Sequence, residues 1–251
     1  MQNPVPDPKD RIIVALDVDD PRKAIELIET LRDHVGAFKL GLRFLTASLA
    51  RLATCGGHDL NDFWFGFAKI FELTKGRLMY DGKFDDIPET MAGAAKGLAP
   101  IKPLFFTVHA SATIDGMMAA VKNKGDSRVL AVTVLTSIEE NEAHLDFGSP
   151  SKAKVLQFAR DAVLAGCDGI VCSPQELVLL AKRPELASLI KVTPGVRPAG
   201  ADKGDQKRVM TPGEAVRAGA DCLVIGRPIT GAESPVAAAK AIADEIASIP
   251  G

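Results

Sequence analysis

Asp168-Gly169-Ile170-Val171-Cys172-Ser173-Pro174-Gln175-Glu176 runs a short apolar segment straight into a helix opening. The apolar part has strand length, and the serine, proline and glutamate after it stand where an N-cap, a first turn and a cap partner belong. One strand followed at once by one helix is the unit of a parallel α/β fold. The same unit recurs along the chain. Apolar runs at residues 11–18, 37–41, 77–83, 103–109, 128–135, 168–172, 189–193 and 221–226 give eight candidate strands. Asp20-Pro21 opens a helix from Arg22, and Thr211-Pro212-Gly213-Glu214 opens another. Strands rich in Val, Ile and Leu that alternate with helices pair in parallel and are covered by those helices. Eight evenly spaced units use the whole chain as one α/β domain, a (β/α)8 TIM barrel over residues 11–248 after a loose segment at 1–10. An open doubly wound sheet is the runner-up, weakened by the lack of a GxGxxG or Walker loop.

One connection is too long for the pattern. Residues 42–76 include an aromatic-rich insertion at about 56–76 with Phe63, Trp64, Phe65, Phe67 and Phe71. It reads as an extra short helix on the outside of the barrel, with an oligomer contact or a flap as the other readings.

Bulk composition narrows the function. The 251 residues carry 30 basic and 32 acidic side chains, so no electrostatic footprint for nucleic acid or an anionic membrane is present. No apolar stretch approaches a membrane span, and Cys55, Cys167, Cys172 and Cys222 form no CxxC pair or metal-type cluster. A cytoplasmic enzyme with buried thiols is expected. His34, His58 and His144 have no metal-ligand spacing either.

In such barrels the chemistry comes from the C-terminal ends of the strands. Polar residues ending the apolar runs are Asp17, Lys39, Asp81, Lys83, His109, Thr136 and Arg227. The densest cluster is Asp81-Gly82-Lys83-Phe84-Asp85-Asp86-Ile87-Pro88-Glu89-Thr90. On a strand residues i and i+2 share a side, so Asp81 and Lys83 are expected to point into one cavity. Lys39 lies in the apolar strand Phe38-Lys39-Leu40-Gly41 and needs a partner, for which Asp81 is placed. A lysine between carboxylates is held in its charged form and suits a general acid, although a strand-end salt bridge is the plainer reading of Asp-x-Lys alone. His109 has no acidic or nucleophilic partner identifiable nearby and reads as structural. Gly226 and Arg227, after the last strand, form a candidate phosphate site, and residues 193–208 a candidate lid with Arg197 and Gln206 as clamps.

Together these segments resemble the orotidine 5′-monophosphate decarboxylase family. Its Asp-x-Lys-x-x-Asp-Ile-Pro signature stands at residues 81–88. Ala15-Leu16-Asp17, Phe38-Lys39-Leu40-Gly41, Thr193-Pro194-Gly195-Val196-Arg197-Pro198, Asp205-Gln206-Lys207-Arg208 and Val224-Ile225-Gly226-Arg227-Pro228-Ile229-Thr230 are similar to its other site segments. The resemblance implies a charge array of Lys39, Asp81, Lys83 and Asp86, with Lys83 as proton donor. It implies ribose contacts from Asp17 and Lys39, a pyrimidine contact from Thr136, and phosphate contacts from Arg197, Gln206, Gly226 and Arg227. It also implies a homodimer in which Asp86, Ile87 and Thr90 complete the partner's pocket. The implied reaction needs no metal or organic cofactor. Gly82, Asp85 and Glu89 depart from the residues more usual in that family; Gly82 is expected to face away from the site and loosen its strand slightly. A Mg2+-dependent sugar-phosphate decarboxylase of the same superfamily is the nearest rival, disfavoured by Ile87-Pro88 and by the Arg197/Gln206 loop. A non-catalytic phosphate-binding barrel is the rival of another class.

Overall fold

The computed structural model describes residues 7–54, 58–198 and 210–249, with the backbone only at 58–62. Eight parallel strands close a barrel in chain order: β1 (Ile12–Ala15), β2 (Ala37–Gly41), β3 (Leu78–Phe84), β4 (Phe105–His109), β5 (Arg128–Val132), β6 (Gly169–Val171), β7 (Ile190–Pro194) and β8 (Cys222–Ile225), with β8 pairing back onto β1. All eight expected strands are present, and the closed barrel prevails over the open sheet. The helices are α1 (Pro21–Leu31), α2 (Leu42–Thr54), α3 (His58–Leu73), α4 (Pro88–Leu98), α5 (Thr113–Lys122), α6 (Glu140–Phe147), α7 (Ser151–Ala165), α8 (Leu177–Ala181), α9 (Pro212–Arg217), α10 (Arg227–Thr230) and α11 (Pro235–Ala247).

Capping chemistry sets several of the starts. Asp20 Oδ1 accepts from Arg22 N–H at 2.9 Å with Pro21 at the first helical position, and Thr211 and Glu214 cap α9 reciprocally. Ser173-Pro174 opens a 3-10 turn, Pro174–Glu176, that leads into α8, and Glu176 returns a carboxylate oxygen to Ser173 N–H at 2.9 Å.

Strand alternation divides the core in two. Ile13, Ala15, Ala37, Met79, Phe105, Leu130, Val192 and Val224 fill the barrel interior. Ile12, Val14, Phe38, Leu40, Phe106 and Val108 face the helices in a larger layer. Each fully buried Phe or Leu there contributes about 1.5–3 kcal/mol, so the interior and outer layers together fix the register.

Two expectations change. Pro8–Arg11 forms a 3-10 turn capped by Asp7, so regular structure begins within the ten residues expected to be loose. The aromatic insertion is no short helix: α3 has 16 residues and packs on α1, while α2 starts directly after Gly41 at the barrel mouth. Phe67 is the hub, with Phe44 and Phe63 stacked on it and Trp64 and Phe71 edge-on. Phe65 and Trp64 remain 77% and 50% exposed.

Candidate active site

The interior is apolar at its base and polar at the C-terminal ends of the strands. A cavity of about 720 Å³ opens there, within the range of sites for small ligands. Its walls hold Asp17, Lys39, Asp81, Lys83, Thr136, Arg197, Gly226 and Arg227. Asp81 is at the centre. Its Oδ2 lies 3.3 Å from Lys39 Nζ, and Lys83 Nζ approaches both of its oxygens at 2.9 Å. Lys39 Nζ also reaches Asp17 Oδ1 at 3.3 Å. Asp81 is thus the buried partner that Lys39 required.

Burial pushes the Asp81 carboxyl toward a higher pKa, but the two ammonium groups and the hydrogen bonds from Lys83 and Thr107 outweigh it. The carboxyl stays below its ordinary 3.8 and ionised at neutral pH. The arrangement is two cations around one locked anion, all facing the same volume.

β3 achieves this less simply than by alternation. Its register on β4 slips between Tyr80 and Phe84, a bulge, and Lys83 sits at φ 47°, in the left-handed region. Lys83 N–H donates to Thr107 Oγ1 at 2.9 Å, and Thr107 Oγ1–H donates to Asp81 Oδ1 at 3.0 Å. One hydroxyl on β4 therefore fixes both residues, and nothing in the local sequence of β3 pointed to it. Gly82 does face away from the site, and the space on its outer side is filled. An added Cβ would lie 2.8 Å from the Tyr80 ring and 3.0 Å from the Phe84 ring, which pack at 5.9 Å and fill that side. Gly41 has a tighter role at the mouth, where a Cβ would meet Lys39 Nζ at 2.7 Å.

Asp86, Ile87 and Thr90 do not line this cavity. All three are exposed; Asp86 Oδ1 accepts from Ile87 N–H at 2.7 Å, and Ile87 leads into Pro88 of α4 with 65% of its surface in solvent. Gln206, with residues 199–209 of the expected lid, lies outside the described residues. Arg197 N–H pairs with Met210 O at 2.9 Å, tying one base of that segment to the other. The wall also includes Arg43, Ser137 and Thr230, which the sequence reading passed over. Arg43 makes a two-pronged pair with Asp19 at 2.7 and 2.8 Å across the mouth. Cys172 lines the cavity too, but burial pushes its thiol up to about 12, so it is neutral and no nucleophile.

His109 keeps a structural role, but the expectation that no acidic partner stands nearby changes. Its Nδ1 lies 2.5 Å from Ser111 Oγ, which donates to Asp85 Oδ2 at 2.5 Å, so an acidic partner is present one bridge away. Burial lowers its pKa, Asp85 opposes that, and Lys83 adds to it.

Among the described residues no helix is long and apolar enough to cross a membrane, and no cluster of three His, Cys, Asp or Glu is placed to hold a metal. Relatives share the whole barrel. The orotidine 5′-phosphate decarboxylase of Moorella thermoacetica is 42% identical over 95% of this chain and 92% of its own, and that of Rhodopseudomonas palustris (strain BisA53) is 43% identical over 98% of each. The crystal structure of orotidine 5′-phosphate decarboxylase from Lactobacillus acidophilus superposes with a TM-score of 0.74 at 30% identity, covering 94% of this chain and 98% of that one. Residues 10–242 match the family described as orotidine 5′-phosphate decarboxylase / HUMPS, and the chain belongs to that family.

Proposed function

We propose that the protein decarboxylates orotidine 5′-monophosphate to uridine 5′-monophosphate and CO2, in the cytoplasm, as a step of de novo pyrimidine synthesis. The observation that carries this reading is the ionised Asp81 held between Lys39 and Lys83 at the floor of a nucleotide-sized cavity.

The difficulty of the reaction is a carbanion at C6 of the pyrimidine with little resonance help. With the ring over Lys83, the substrate carboxylate lies beside Asp81, whose charge cannot be neutralised cheaply because two lysines hold it. As the C6–CO2 bond breaks, its electron pair stays on C6. The Lys83 ammonium stabilises that charge and then transfers a proton to C6. These groups are already oriented before substrate arrives, so little reorganisation is spent at the moment of reaction. Asp17 and Lys39 take the ribose hydroxyls, Thr136 the pyrimidine edge, and Gly226, Arg227, Arg197 and Gln206 the phosphate. Phosphate binding, remote from the breaking bond, supplies energy that organises the site.

The proposal extends to a homodimer. Asp86, Ile87 and Thr90 serve no purpose in their own cavity, and a 65% exposed Ile87 beside two polar groups suits insertion into a partner's site. Metal-chelated protein is incubated with orotidine 5′-monophosphate while orotate absorbance is followed, with Lys83→Ala as control. Turnover that disappears in the variant is expected. A folded wild-type protein that turns over nothing overturns the reading.

A further inference from the structure

β4 ends in two residues of the same inward register, Thr107 and His109, and each reaches the end of β3 at a different point. Thr107 holds Asp81 and the Lys83 backbone. His109 reaches further along, through Ser111, to Asp85. The bridge has a direction. Ser111 has one hydroxyl proton, and with it donated to Asp85 Oδ2, the 2.5 Å contact to the ring is a hydrogen bond only if His109 Nδ1 carries a proton and donates it to Ser111 Oγ. The longer approach of Ser111 N–H to Nδ1, 3.3 Å, belongs to the other tautomer, in which the hydroxyl turns to the ring and Asp85 loses its donor.

The stretch that this bridge grips is under strain. Lys83 keeps a left-handed backbone that is unfavourable for a residue with a Cβ, and such a conformation persists only where its surroundings impose it. Immediately beyond Asp85, Asp86 caps Ile87 N–H, and α5 packs beside it at Gly116, where an added Cβ would meet Asp86 O in ordinary contact at 3.5 Å. The turn is therefore held at Lys83 by Thr107 and beyond it by Ser111, with α5 packed alongside.

We infer that Ser111, with His109 and Asp85, is a positioning clasp for the turn that carries Lys83 and Asp86. Ser111 touches none of the reacting groups; it acts through Asp85 by holding the proton donor at its working distance. The inference rests on the decarboxylase reading above. A loose donor costs rate in the transition state more than it costs substrate binding.

The test measures kcat and KM for orotidine 5′-monophosphate in Ser111→Ala, Ser111→Thr, Asp85→Ala and the Asp85→Ala/Ser111→Ala double variant, with urea unfolding alongside. Ser111→Ala is expected to lower kcat on the order of ten-fold with little change in KM, and Ser111→Thr, which keeps the hydroxyl, to restore it. The double variant is expected to lose no more than either single one, because a broken clasp does not break twice. Asp85 is exposed, so its variant carries the same kcat-against-KM reading if Ser111→Ala fails to fold. Wild-type kcat in Ser111→Ala, no rescue by threonine, or losses that multiply in the double variant overturn the clasp while the decarboxylase reading stands. No turnover by the wild-type protein overturns both.

Discussion

The two ends of this barrel both carry half-buried or buried charge, and they use it differently. At the N-terminal ends of the strands, Asp168 accepts from Lys124 Nζ at 2.6 Å and from Val129 N–H at 2.8 Å. Asp221 accepts from Lys191 N–H at 2.7 Å, Lys191 Nζ donates to Leu189 O at 3.0 Å, and Arg11 donates to the carbonyls of Ala220 and Asp221. Asp168, Asp221, Lys191 and Arg11 are each bonded to backbone, and Lys124 is held by the backbone-bonded Asp168. At the C-terminal ends, Asp17, Lys39, Asp81 and Lys83 are bonded to one another around an open volume. A charge consumed by backbone cannot answer a ligand, whereas one balanced only by a neighbouring side chain can exchange that partner for substrate. The difference separates a stabilising end from a reactive one.

The largest expected effect breaks the reactive end alone. Lys83→Ala should lower kcat/KM by at least about 10³-fold, since it removes the proposed proton donor and its transition-state charge together, while the urea midpoint moves little. Asp81→Asn comes next, at about 10²-fold, from steady-state kinetics. It also alters the acid limb of stability. The folded pKa of Asp81 lies below its ordinary 3.8, so its stabilisation is present above that value and is lost as pH falls through the lower folded one. Urea unfolding between about pH 2 and 6 should show a shallower acid slope in the variant than in the wild type; identical slopes would remove the lysine-held carboxylate from the account.

How legible this was depends on the range over which each feature is written. The eight strands and the Asp20 and Thr211 caps follow from patterns a few residues long, and all are present; Asp81 and Lys83 do share a cavity, but through a bulge and not the plain alternation expected. The Lys39–Asp81 pair was legible too, because a lysine inside an apolar strand demands an anion. Thr107 was not, since its role arises from pairing of β4 against a bulged β3, and the slip of register is written in neither strand alone. His109 had the same difficulty: Asp85 is 24 residues away in sequence, and only the barrel brings Ser111 between them. The insertion was misjudged in length because its aromatic residues lie at positions that suit a helix face, yet Phe65 and Trp64 stay exposed and so blur the period.

The stabilising end supplies the next test. Asp168→Ala removes the acceptor of both Lys124 Nζ and Val129 N–H, and leaves a backbone donor at the start of β5 without its partner. A loss of about 1–3 kcal/mol in urea unfolding is expected, with kcat and KM for orotidine 5′-monophosphate unchanged. A fall in kcat at unchanged stability would mean that the two ends are coupled, and the division drawn above would fail.

The smallest effect sharpens the division through backbone strain. Lys102 has φ 45° and ψ 56° just before β4, at the stabilising end, and Lys83 has φ 47° at the reactive one. Glycine reaches the left-handed region without the Cβ penalty, so Lys102→Gly should stabilise the protein by about 0.5–1 kcal/mol. The ion pair it loses, Lys102 to Asp126 at 3.0 Å, is exposed and offsets little of that gain. Thermal unfolding should therefore shift upward with activity intact. At Lys83 the same conformation cannot be relieved by the same substitution, because the side chain it presents is the proposed proton donor. Strain at the N-terminal end is thus removable, whereas strain at the C-terminal end is tied to the chemistry. If Lys102→Gly destabilises the barrel instead, the left-handed turn there is being held by the lysine side chain, and the contrast between the two ends narrows to Lys83 alone.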